Sequence, residues 1–185
     1  ILNDQDIGNG QSIGWLAGGL AMTQDVNQNT VEVNWPTSSG EVYNASGVQY
    51  DAIGGFTLTG DATDNTVTLT GVTEFGDPYS DHFVSNLYGG YSYTGTVSGN
   101  AVNIEGATFY DTVYGGAQGT QNMYELLEQS MNGYFSDYAN GLSFTSTGDV
   151  KNNSVTISGG GYDMRRGPGS TVYGGLIGAK ISADE

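Results

Sequence analysis

Gly89-Gly90-Tyr91-Ser92-Tyr93-Thr94-Gly95-Thr96-Val97-Ser98-Gly99-Asn100-Ala101-Val102-Asn103-Ile104-Glu105-Gly106 holds one complete unit of a pattern that runs through the whole chain. A Gly-Gly pair opens the unit, an asparagine follows the second glycine by ten residues, and alternating apolar residues close it. The same ten-residue interval separates Gly19 from Asn29 and Gly55 from Asn65. In a fourth copy the interval from Gly116 to Asn153 has grown to thirty-seven residues, which marks an insertion over 120–147. A fifth pair, Gly174-Gly175, opens another unit. Self-similarity of this period is the signature of a solenoid, whose units cannot bury an apolar edge alone and do so by stacking.

The alternation after each asparagine, Val31/Val33, Val67/Leu69, Val102/Ile104 and Val155/Ile157, points two apolar side chains to one face of a strand and polar ones to the other. The chain's 31 glycines and its Val, Ile, Thr and Tyr-rich segments offer no helical period. The expected fold is therefore an all-β parallel β-solenoid of about four to five coils, forming a single segment over 1–185. Asn29, Asn65, Asn100 and Asn153 are expected to form an internal ladder, each amide donating to one neighbour and accepting from the other while tolerating left-handed backbone angles. The Gly-Gly pairs read as corners where a side chain would strike the next coil or demand a positive φ.

Function in solenoids sits in what breaks the repeat. The 120–147 insertion contains Asn122 to Gly133, where Asn122 and Glu125 make a capping pair and Met123, Leu127 and Met131 share a face, so one short helix is expected there. A second irregular segment, 161–170, reads as an exposed basic loop bearing Arg165 and Arg166, able to grip a carboxylate or sulfate on a partner or an acidic patch of its own chain. Tyr88, Tyr114 and Tyr173 each precede a Gly-Gly pair, with Tyr91 and Tyr93 close by. Stacking would set these rings in a row, either as an exposed platform for sugar faces or as a structural stack along the coils.

Twenty acidic residues face four basic ones, a net charge of −16, and all four basics (Lys151, Arg165, Arg166, Lys180) fall in the last 35 positions. That distribution disfavours nucleic acid and anionic membrane surfaces as partners. No apolar run is long enough to span a bilayer as a helix. One histidine, His82, and no cysteine make a zinc site or a Ser-His-Asp triad unsupported. None of the Gly-Gly pairs matches the calcium-binding nonapeptide. No metal, no cofactor and no catalytic residue is expected, and the chain reads as a binding protein rather than an enzyme.

Gly99-Asn100-Ala101-Val102-Asn103-Ile104-Glu105-Gly106, Asn152-Asn153-Ser154-Val155-Thr156-Ile157-Ser158-Gly159-Gly160, and Thr-Val-Tyr-Gly-Gly at 112–116 and 171–175 resemble the degenerate repeats in passenger domains of Gram-negative autotransporter or adhesin-like surface proteins. The resemblance covers most of the chain and implies a right-handed parallel β-helix on the outer cell surface or in the extracellular space. It further implies an adhesin whose partner is a host or bacterial receptor or glycan. Family passengers run to many more repeats and precede a membrane barrel, so the expectation is a piece of a longer protein. The alternatives are a structural subunit that associates end to end into a filament or surface layer, and a carbohydrate-active β-helix enzyme.

Overall fold

Every strand pairing in this computed structural model is parallel, and successive coils of the chain lie side by side in sequence order. The structure describes residues 2–3, 12–34, 46–70, 82–106, 108–109, 113–119, 148–159, 161–162 and 172–177. Among them there is no helix. The helix expected over 122–133, the rest of the 120–147 insertion, and Arg165 and Arg166 lie outside the described residues.

Three stacks of strands build the solenoid. The first, sheet A, runs β1 (Leu2–Asn3), β4 (Thr30–Asn34), β7 (Thr66–Thr70), β10 (Ala101–Glu105), β14 (Ser154–Ser158). Sheet B runs β2 (Ser12–Ala21), β5 (Ser46–Thr57), β8 (His82–Ser92), β12 (Val113–Gln118), β16 (Val172–Ile177). The short sheet C holds β3 (Val26–Asn27), β6 (Ala62–Thr63), β9 (Val97–Ser98), β13 (Val150–Lys151), and a two-stranded pair joins β11 (Thr108–Phe109) to β15 (Gly161–Tyr162). The chain therefore cycles B, C, A and climbs one strand spacing, about 4.8 Å, per cycle.

The repeated alternation has the role assigned to it. Val33, Leu69, Ile104 and Ile157 are register partners, as are Val31, Val67, Val102 and Val155. The inward rows of sheet A meet Ala52, Leu87 and Val113 of sheet B in one continuous core, and Val26, Ala62 and Val97 seal sheet C. Sheet B differs from the single apolar edge expected of each unit, for it is apolar on both faces. The row next to Ala52/Leu87/Val113, namely Ile53, Tyr88 and Tyr114, belongs to a separate buried cluster with Phe56, Leu58, Tyr91 and Ala117. Alternation along a strand puts these two rows on opposite sides of the sheet.

The Gly-Gly pairs are not corners. They lie within the strands of sheet B, and none of their residues has a positive φ. In each of these strands the pairing register skips the first glycine of the pair, passing for instance from Ile53↔Tyr88 to Gly55↔Gly90. The first glycine of the pair lies under the glycine carbonyl of the neighbouring coil, and the second faces the ladder asparagine of its own coil. A Cβ on Gly19 would lie 2.5 Å from Asn29 Nδ2, and one on Gly55 2.6 Å from Asn65 Oδ1, while one on Gly18 would lie 2.5 Å from the Gly54 carbonyl oxygen. The collision anticipated from the sequence is real, and in the first four pairs the second glycine is the seat of its own coil's asparagine.

Candidate functional site

The ladder begins from a local necessity. Each coil must turn from sheet C into sheet A, and a tight turn inside a stack strands backbone donors that no strand partner reaches. Asn29 Nδ2 donates to Asn65 Oδ1 at 2.8 Å, Asn65 Nδ2 to Asn100 Oδ1 at 2.9 Å, and Asn100 Nδ2 to Asn153 Oδ1 at 2.9 Å. The backbone N–H groups of Asn29, Asn65 and Asn100 donate to the same oxygens at 3.1, 2.9 and 3.0 Å. The second amide hydrogen reaches back to the preceding coil, from Asn65 to the Val26 carbonyl, Asn100 to Ala62 and Asn153 to Val97. The left-handed angle falls one residue earlier than expected, on Gln28 (φ 57°), Asp64 (φ 55°), Gly99 (φ 68°) and Asn152 (φ 57°). That residue makes the turn, which leaves the asparagine free to extend its amide along the stack.

A second buried polar row escaped the sequence reading. Thr57, Ser92 and Gln118 are register partners in sheet B and all are fully buried. Thr57 Oγ1 donates to the Gln24 carbonyl at 2.9 Å and accepts from Gly60 N–H at 3.1 Å. Ser92 Oγ repeats this one coil on, donating to Gly60 O at 2.6 Å and accepting from Gly95 N–H at 2.8 Å. Gln118 Nε2 donates to Gly95 O at 2.6 Å. On the outside of the same turn, the Asp25 carboxylate accepts from Asp61 N–H at 2.9 Å and Asp61 from Thr96 N–H at 2.7 Å. The first two of these turns are thus each stitched to the next by three side chains, an asparagine, a hydroxyl residue and an aspartate.

The tyrosine row exists, and its geometry decides what it can do. Tyr88 and Tyr114 stack at 4.6 Å with planes 6° apart, and Tyr114 stacks on Tyr173 at 5.3 Å and 10°. These spacings match the coil rise, so the rings lie face to face along the solenoid and their faces are occupied by one another. Tyr91 is fully buried, stacked on Phe56 at 5.2 Å and edge-on to Tyr88 at 6.1 Å. Tyr88 is buried as well. Both rings are packed within the fold, apart from any exposed row. Tyr93, Tyr114 and Tyr173 are partly buried.

Placement of the variable segments follows from strand order. Residues 35–45, 71–81, 110–112 and 163–171 all connect the outgoing end of sheet A, or the short pair beyond it, to the incoming end of sheet B. These segments lie outside the described residues, as does the 120–147 insertion, which falls in sequence between a sheet B strand and a sheet C strand. The connecting segments carry Trp35, Tyr43, Phe75, Tyr79, Tyr110, Arg165 and Arg166, residue types that dominate binding energies where proteins recognise ligands.

Among the described residues, no three His, Asp or Glu side chains gather as metal ligands do. The buried polar residues of the core, Thr57, Asn65, Ser92, Thr94, Asn100 and Gln118, are all neutral, and five of them have just been placed in the two polar rows. Among the described residues, the large apolar side chains that are exposed are Leu20 of β2, Ile157 of β14, and Val172 and Ile177 of β16. Comparison with protein-family models, with curated proteins and with solved structures found no match for the chain.

Proposed function

We propose that this chain is a cell-surface adhesin or interaction module that presents irregular segments from a β-helix scaffold and binds rather than catalyses. The observation that carries the reading is the position of the irregular segments in the repeat: four connections of unequal length, which together hold aromatic residues and the Arg165-Arg166 pair, recur in sequence between the sheet A strand of one coil, or the short pair beyond it, and the sheet B strand of the next. A scaffold whose buried polar groups are spent on holding coils together suits presentation. Variable connections recurring at the same point of each coil are where solenoids carry recognition. The partner that suits these connections is a glycan or receptor carrying carboxylate or sulfate groups, which the guanidinium pair would grip against the negative field of the rest of the chain.

The test is binding of the purified chain to arrays of neutral, sialylated and sulfated glycans, followed by mass analysis of the bound glycans. Intact, anionic glycans retained by the parent chain and released at least tenfold faster by Arg165→Ala/Arg166→Ala support the reading, provided the thermal midpoint is unchanged. Shortened glycans would overturn it in favour of an enzyme. Binding that is indifferent to the double substitution would remove the guanidinium pair from the site.

A further inference from the structure

The chain has 13 tyrosines and no cysteine. A covalent staple between its coils would therefore have to come from a side chain other than the usual thiol, and one tyrosine row already has the arrangement that such a staple needs. Tyr88, Tyr114 and Tyr173 hold the same register position in β8, β12 and β16. Their rings follow one another at 4.6 and 5.3 Å, with planes 6° and 10° apart. Each phenol thus has a second phenol as its nearest neighbour before any reaction begins, and such proximity turns an encounter between two groups into a step within one molecule.

The three rings differ in their surroundings. Tyr88 is 5% exposed and meets Tyr91 edge-on, and Tyr91 in turn lies flat on Phe56. Tyr114 and Tyr173 are only partly buried. Tyr114 has a tyrosine on each face, so the exposure it keeps falls outside its ring faces. Both Tyr114 and Tyr173 are followed by a Gly-Gly pair, and no side chain of the same strand stands beside either ring on that side.

We infer that Tyr114 and Tyr173 form an oxidative cross-linking site, at which a peroxide-driven one-electron oxidant joins the two rings and ties β12 to β16. Each phenol gives up one electron and its hydroxyl proton. Hydrogen peroxide takes both, its O–O bond breaks, and it leaves as two waters. The two phenoxyl radicals carry spin on the carbons beside the oxygen, and one Cε–Cε bond forms between them. Each ring then returns the hydrogen of its newly bonded carbon to its own oxygen, which restores both phenols.

A bond cannot form across 5.3 Å, so the rings must leave the face-to-face stack and turn edge to edge. That requirement selects the pair. Tyr88 and Tyr114 are the closer stack, at 4.6 Å, but Tyr88 is buried against Tyr91 and has no room to turn. Tyr114 and Tyr173 have that room. Their bond closes a chain segment that includes the 120–147 insertion, and a cross-link over so long a segment stabilises mainly by restricting the unfolded chain.

The test treats the purified chain, diluted so that molecules seldom meet, with hydrogen peroxide and a small haem catalyst, and then digests it with trypsin. Lys151, Arg165, Arg166 and Lys180 are the only lysines and arginines. Tyr114 therefore falls in the fragment 1–151, and Tyr173 is the sole tyrosine of the fragment 167–180. The expected product is a monomer lighter by two hydrogens, once oxygen added to methionine is subtracted, with the blue fluorescence of a linked biphenol. Its digest should hold 1–151 joined to 167–180, and it should melt at a higher temperature than the untreated chain. Tyr114→Phe and Tyr173→Phe keep a ring in the stack but lack the phenol, so each should abolish the joined fragment, whereas Tyr88→Phe should leave it. Absence of the joined fragment from the oxidised parent chain, or its persistence in Tyr114→Phe, would overturn the proposal. So would a fragment pair found only in dimers, which would mean that tyrosines of separate molecules meet first.

Discussion

Replacing Asn65 by alanine removes the best-connected rung of the ladder. Its Nδ2 donates two hydrogen bonds, to Asn100 Oδ1 and the Val26 carbonyl, and its Oδ1 accepts two, from Asn29 N–H and Asn29 Nδ2. The side chain is fully buried. At about 1 kcal/mol net per bond, with further cost where a buried partner is left without water, the substitution should destabilise the protein by about 4 kcal/mol. That is a large part of the 5–15 kcal/mol typical of a domain. Asn29 stands at the end of the ladder, is only partly buried, and makes one side-chain bond, at 2.8 Å; its alanine variant should lose about 1 kcal/mol. Equilibrium urea unfolding followed by circular dichroism would measure both, and an unchanged m-value would show that the same surface is exposed in each case. Equal losses at the two positions, or a loss below about 1 kcal/mol at Asn65, would mean that coil-to-coil stability resides in strand pairing and apolar contact, and the account of the ladder would fail.

Two further substitutions probe the glycines and the hidden hydroxyl row. Gly55→Ala would place its methyl 2.6 Å from Asn65 Oδ1 and should cost about 2–3 kcal/mol by overpacking; Gly106→Ala meets nothing within 4 Å but has φ +68° and should cost only about 1–2 kcal/mol. If thermal midpoints rank them in the reverse order, close approach is not why the pairs recur. Ser92→Ala strips the partner from the Gly60 carbonyl and the Gly95 N–H and should cost about 2–3 kcal/mol. Ser92→Thr keeps the hydroxyl that Thr57 uses in the preceding coil and should retain most of the stability in the same denaturation series.

What could be read in the amino-acid order depended on whether a physical job was done by the same residue type each time. The ladder position accepts only an amide with donor and acceptor on one short arm, so asparagine recurs at Asn29, Asn65, Asn100 and Asn153 and stands out against a changing background. The neighbouring stitch is made by a threonine, a serine and a glutamine at successive levels. Nothing in Thr57, Ser92 and Gln118 announces a common role until register lines them up. The Gly-Gly pairs were visible but misplaced, because a glycine required by a neighbour's side chain looks the same in sequence as one required by a turn. Their true constraint comes from a residue ten positions on. The tyrosine row was legible as a row, while the orientation of its rings was not: spacing fixes which residues are adjacent, and whether faces meet each other or solvent depends on side-chain torsions. The second apolar face of sheet B was hidden for a related reason, since Ile53, Tyr88 and Tyr114 sit directly before the Gly-Gly pairs, where the pairing register skips a residue and the simple two-residue alternation no longer applies.

The ladder also has a direction. Asn29, Asn65 and Asn100 each give their backbone hydrogen and one side-chain hydrogen to an oxygen that lies later in the chain, by 36, 35 and 53 residues respectively. No coil can finish its own turn from residues it contains. A chain emerging from the ribosome N-terminus first therefore trails one incomplete turn behind the growing point, and each turn locks only when the following asparagine arrives. The wait is longest at Asn100, whose acceptor comes after the insertion, and loop-closure entropy makes that step the costliest of the three. Assembly of this protein should accordingly pause between its third and fourth coils, with the first three already zipped together.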